Sequence, residues 1–209
     1  MATSNTSVCN QALGRIGAKR INNYEDDTDT DTNAIQCRLH FVPTRDALLR
    51  SNWWRFARAR ATLSAEVAAP DFEYAYSYPL PADFLRMISV YEDNNTGKDI
   101  SRYTYYLEGK KLLSDENAME IRYIKKVTDA SMFDPLFVEV FVLKLAMKLI
   151  MPLSGDKTMR RELWEELQAL TATVRALDKQ EQNTLGRGDR NLWNDARLVG
   201  AGDPAKSYA

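Results

Sequence analysis

The 209 residues contain one histidine, His40, and two cysteines, Cys9 and Cys37. So few soft ligands argue against a zinc centre, and cysteine–histidine catalysis has a single candidate base. Two thiols are too few for a disulfide scaffold and suit a reducing compartment. No charge dominates: 28 Lys and Arg face 29 Asp and Glu, for a formal net charge of −1. That balance supplies no general attraction to nucleic acid or to a membrane surface. The first residues, MATSNTSVCN, have neither a basic start nor an apolar stretch, so no signal peptide is expected. The most apolar run, Leu136 to Leu153, is interrupted by Glu139, Lys144 and Lys148. It reads as a buried helix with one wet stripe, not as a bilayer span. Internal repeats and low-complexity tracts are also absent.

What remains is ordinary globular composition, 44% hydrophobic and 27% charged. A chain of this size can bury roughly 70% of its surface, enough for a real core. Val8, Cys9, Ala12, Leu13 and Ile16 predict a first helix over 5–16, weakened at its end by Gly14 and Gly17. A polar acidic loop follows, then a second helix from about Thr32 to Asn52. Its apolar stripe is predicted as Ile35, Leu39, Val42, Leu49 and Trp53, with a kink from Pro43 near Leu39. Residues 72–125 hold eight of the ten tyrosines and alternate apolar with polar. Strands are predicted at Glu73–Tyr78, Leu85–Tyr91, Tyr103–Glu108, Lys111–Leu113 and Met119–Lys125. Asp134-Pro135 opens a third helix, ending near Pro152, and Ser154 or Asp156 caps a fourth. In the fourth, Met159, Leu163, Leu167, Leu170, Val174 and Leu177 repeat nearly as a heptad, read first as internal core. The short link predicts an antiparallel helix pair.

These elements predict a mainly α fold: an antiparallel bundle of about four helices with a small antiparallel β insertion at about 70–126. Residues 1–182 form the core in this reading. Residues 183–209 form an extended polar C-terminal tail with Leu192 and Trp193 as apolar anchors.

Several groups invite a chemical reading. Glu25, Asp26, Asp27, Asp29 and Asp31 resemble a hard-cation site, but lack the glycine and distal glutamate of an EF-hand loop. The plainer reading is a solvated loop at the positive N-terminus of the next helix, and no metal is expected. Cys37 and His40 share a helical face, yet an apolar setting would keep the thiol protonated, so the pair reads as structural. Gly14-Arg15-Ile16-Gly17 has neither the preceding strand nor the following Lys-Ser/Thr of a phosphate loop. No acid–base set can be assembled, so the chain reads as no enzyme and needs no cofactor.

Between residues 50 and 60, four arginines interleave with Trp53, Trp54 and Phe56. On a helix the two tryptophans would point about 100° apart, so at least one belongs to the core. The cluster reads as core with solvated arginines, as a protein interface, or as a nucleic-acid patch. Arg50, Trp53, Arg55 and Arg58 are the candidate subunit-interface residues.

The order of motifs carries a resemblance. Cys9-Asn10-Gln11-Ala12-Leu13 runs through the acidic loop to Ala34. Arg45-Asp46-Ala47-Leu48-Leu49-Arg50 precedes Trp54-Arg55-Phe56-Ala57. Tyr74-Ala75-Tyr76 precedes Leu80-Pro81-Ala82-Asp83-Phe84-Leu85-Arg86. Ile121-Arg122-Tyr123-Ile124 precedes Phe133-Asp134-Pro135-Leu136-Phe137, and Trp193-Asn194-Asp195-Ala196-Arg197 comes last. Together they resemble the head-to-tail adaptor family of short-tailed bacteriophages, also called tail tubular protein A or head–tail connector. Pro43 in the second helix departs from that pattern.

The resemblance implies a virion protein of the neck, made in the host cytoplasm. It implies a homo-oligomeric ring of about twelve copies under the portal. It implies a tail that docks on the portal through Leu192, Trp193 and Arg197, with the opposite face receiving the tail nozzle. Tail fibres are a further expected neighbour, and a membrane is not. Double-stranded DNA would pass through the lumen without its sequence being read. The alternative is a double-stranded DNA-binding assembly module built on the 50–60 cluster.

Overall fold

A computed structural model describes residues 3–92 and 105–181. Four α-helices are described: α1 (Asn5–Arg15), α2 (Thr32–Ser51), α3 (Pro135–Leu153) and α4 (Lys157–Glu181). Six strands lie between α2 and α3: β1 (Arg58–Leu63), β2 (Tyr76–Pro79), β3 (Phe84–Glu92), β4 (Tyr106–Glu108), β5 (Lys111–Ser114) and β6 (Met119–Lys125). The chain divides into one unit of Met1–Ala172 and another of Thr173–Ala209, with the boundary inside α4. Of the second unit, only the last turns of that helix are described.

Short polar side chains set the helix ends. Ser4 Oγ accepts from Ser7 N at 3.1 Å to open α1, and Asp31 Oδ1 accepts from Asn33 N at 3.1 Å to open α2. Gly17 closes α1 at φ 69°, a left-handed conformation that L side chains rarely adopt, while Ala18 N bonds Leu13 O at 2.9 Å. Asp134 Oδ1 accepts from Leu136 N at 2.8 Å, with Pro135 in the first turn of α3, as its sequence predicts. Of the two candidate caps for α4, Asp156 does the work, accepting from Thr158 N at 2.8 Å and Met159 N at 3.0 Å.

Helix α3 is the hub on which α1 and α2 pack. It buries residues all round, including Phe137, Phe141, Leu145 and Leu149, with Lys144 and Lys148 on its wet stripe. Aromatic rings fill the space beside it: Phe41 meets Phe141 edge-on at 4.9 Å between centroids, and Trp54 meets Phe137 at 5.0 Å.

The mainly α bundle with a small β insertion is overturned. The described residues hold two three-stranded antiparallel sheets beside the four helices, about 47% helix and 20% strand, a mixed α/β structure. One sheet has the order β1-β6-β3 and the other β2-β5-β4. The physical reason is a second core. Leu63, Tyr78, Val90, Leu112, Met119, Ile121 and Tyr123 come from both sheets and bury together. Strand β1 has no counterpart in the sequence reading. Its period-2 pattern points Ala59, Ala61 and Leu63 inward, opposite Tyr123, Ile121 and Met119 of β6. The other five strands fall where alternation predicts them, within a few residues; the start of the predicted Tyr103–Glu108 strand lies outside the described residues.

Two helix faces also differ from expectation. On α2 the predicted stripe is largely outward: Ile35 is 44% exposed, Leu39 60% and Val42 37%. Ala34, Cys37, Phe41, Thr44, Arg45, Leu48 and Leu49 are buried instead. The helix runs through Pro43 from Thr32 to Ser51. On α4, Leu163 and Val174 are buried, but Leu177 is exposed and Met159, Leu167 and Leu170 are only half-buried.

Candidate functional site

The 50–60 cluster is split by the end of α2. Helix α2 stops at Ser51, and Trp54 turns inward, where Nε1 donates to Leu48 O at 3.0 Å. Phe56 follows it, its ring 5.0 Å from that of Phe137. Trp53 stays 40% exposed beneath the Arg86 guanidinium, 5.3 Å from the ring centroid. One tryptophan is therefore core and one is surface.

The arginines around them are largely spent within the fold. Arg50 Nη1 donates to Leu85 O at 2.5 Å, and Arg86 Nη1 donates back to Arg50 O at 3.2 Å, lacing α2 to β3. Arg58 Nη2 donates to Trp53 O at 3.0 Å. Arg55 is exposed and also has a bonding partner. The structure thus gathers Arg50, Trp53 and Arg58 at one corner, with Arg86 added from β3.

The acidic residues do not converge. Asp26 Oδ1 accepts from Thr28 N and from Thr28 Oγ1 at 2.6 Å, and these bonds hold its carboxyl below the usual range. Asp29 Oδ1 accepts from Asp31 N at 2.9 Å. Arg38 clamps the loop from α2, donating to the carbonyls of Asp26 at 2.6 Å and Asp29 at 2.5 Å. Among the described residues, no group of three or more His, Cys, Asp and Glu side chains is placed to hold a metal ion.

Cys37 is paired with Cys9. Both thiols are free and fully buried. The hydrogen bond between them, followed by burial, pushes Cys9 far above the usual thiol range. A thiol held neutral is a poor nucleophile. His40 is half-buried on the same helix.

Sequence reasoning missed two features. The first is the ion-pair knot of α2. Arg45 is 4% exposed and its Nη2 lies 2.8 Å from Asp46 Oδ1, while Lys126 Nζ lies 3.1 Å from Asp46 Oδ2. The second is a cross-strand pair, Arg60 opposite Arg122, on the outer face of the β1-β6-β3 sheet. The spacing of Arg58 and Arg60 is its only local signal; Arg122 is remote in sequence.

Leu192, Trp193, Arg197 and the rest of the proposed tail lie outside the described residues. No helix among the described residues is long and apolar enough to cross a membrane. No protein-family model and no curated protein matches the chain.

Proposed function

We propose that the chain is a structural virion protein, a subunit of the adaptor ring between the portal and the tail nozzle of a short-tailed bacteriophage. In this reading it extends the DNA channel and completes the head–tail junction. It works with copies of itself, the portal, the nozzle and neighbouring tail fibres, without catalysis, cofactor, metal or membrane. Its site of action is the neck of the virion.

The observation that carries the reading is the outward row on α2. Ile35, Leu39 and Val42 expose apolar surface on a helix whose other side is already in the core. Such a row favours a protein that acts by burying surface against other chains. The ordered set of motifs from Cys9 to Arg197 says which kind of assembly. The near-neutral charge suits a conduit, because many phosphate contacts would hold DNA back.

Truncation after Gln182 tests the docking role of the tail. The shortened chain is expected to keep its far-ultraviolet circular dichroism and to lose binding to the purified portal ring. Undiminished portal binding by the truncated chain would remove Leu192, Trp193 and Arg197 from the interface.

A further inference from the structure

The β1-β6-β3 sheet buries one face in the sheet core, through Leu63, Ile121 and Tyr123 among others. The other face carries charge that the fold does not need. Arg60 and Arg122 are register partners, so their Cβ atoms stand about 5 Å apart. Like charges directly opposite each other destabilise an antiparallel pair. Among the described residues, neither guanidinium lies within ion-pair distance of a carboxylate. They line a cleft of about 430 Å³ with Thr62, Tyr91 and Glu120. The Arg122 guanidinium sits 5.1 Å above the Tyr91 ring centroid. Arg58 continues the Arg60 row one same-face step along β1, about 7 Å away.

We infer that this face binds the phosphodiester backbone of a nucleic-acid duplex. An anion between Arg60 and Arg122 would relieve the repulsion that the fold leaves in place. Guanidinium forks match phosphate oxygens in a bidentate way. The cleft offers charge and hydroxyl groups but no apolar anchor of the kind that centres a protein interface. The nearby rings are covered, Tyr91 by Arg122 and Trp53 by Arg86, so they are poorly placed to stack unpaired bases. Backbone contact without base contact is sequence-independent. Glu120 in the same cleft keeps the contact weak. The inference does not depend on the adaptor reading; it needs only a duplex within reach of the sheet.

The test is fluorescence anisotropy of a short labelled DNA duplex titrated with the full chain at low and rising salt. With two phosphates neutralised, log K should fall against log salt with a slope of about −2. Arg60→Gln with Arg122→Gln should weaken binding at least tenfold at low salt and flatten that slope by about two. Their melting temperature should not fall, because the change removes repulsion. Glu120→Gln should tighten binding, and a single-stranded probe should bind no better than the duplex. A wild-type chain that leaves the anisotropy unchanged at low salt overturns the inference. So does a double variant that binds like wild type. If the duplex does not bind and the double variant instead loses self-association, the face belongs to an acidic protein surface and the inference is wrong.

Discussion

At Arg45 a positive charge sits where burial would normally exclude it. It is held there by Asp46, which Lys126 contacts from the far side. Removing one partner of a buried pair leaves the other uncompensated, which typically costs about 3 kcal/mol or more. Asp46→Ala should therefore destabilise the chain by roughly that amount in urea unfolding. Arg50→Ala, at an exposed site, should cost far less. Tyr123 gives a pH signature. Burial, then its hydrogen bond to Asp83 Oδ1 at 2.9 Å, raises its phenol from 10.0 to about 12. The folded state thus holds the proton more tightly than the unfolded state. Its contribution is fully present below pH 10 and is lost as the pH rises towards about 12. Tyr24 is raised to about 12 as well, chiefly by burial. Tyr123→Phe should flatten, but not abolish, the fall of stability over that window, as followed by denaturant melts at stepped pH. An unchanged profile would mean that Tyr123 carries none of it.

Helix α2 shows what the sequence makes legible and what it hides. Caps are local chemistry, so Asp134, Pro135 and Asp156 can be read directly. Strands with a period of two and flanking turns can be read nearly as well. The buried face of α2 cannot, because apolar residues stand on both sides: Ile35, Leu39 and Val42 on one, Cys37, Phe41 and Leu48 on the other. The choice between them is made by Phe141 and Cys9, contacts distant in sequence. Strand β1 hides for a related reason. Arg58 and Arg60 read as a solvated charge run until β6 supplies a partner for Ala59 and Ala61. The candidate sites followed the same rule. Trp53 and Trp54 could be separated in principle, but the Arg60–Arg122 pair depends on strand register. A direct check on α2 is Leu39→Glu. At 60% exposure the change should move monomer stability by no more than about 0.5 kcal/mol. In the adaptor reading it should reduce assembly on the portal. A large loss of stability would mean that the row is covered within the chain.

Across the whole molecule, a net charge of −1 conceals local separation. Carboxylates gather between Glu25 and Asp31, while arginines gather on the β1-β6-β3 sheet and at the end of α2. A subunit with distinct surfaces of opposite sign and an apolar helix row is suited to head-to-tail contacts that close into a ring. Sedimentation velocity of the purified chain mixed with its portal ring tests that account most directly, with each component alone as control. The account predicts that the chain joins the portal as one discrete, saturating complex whose added mass is a fixed multiple of portal subunits. A chain that sediments independently of the portal at every mixing ratio would contradict it.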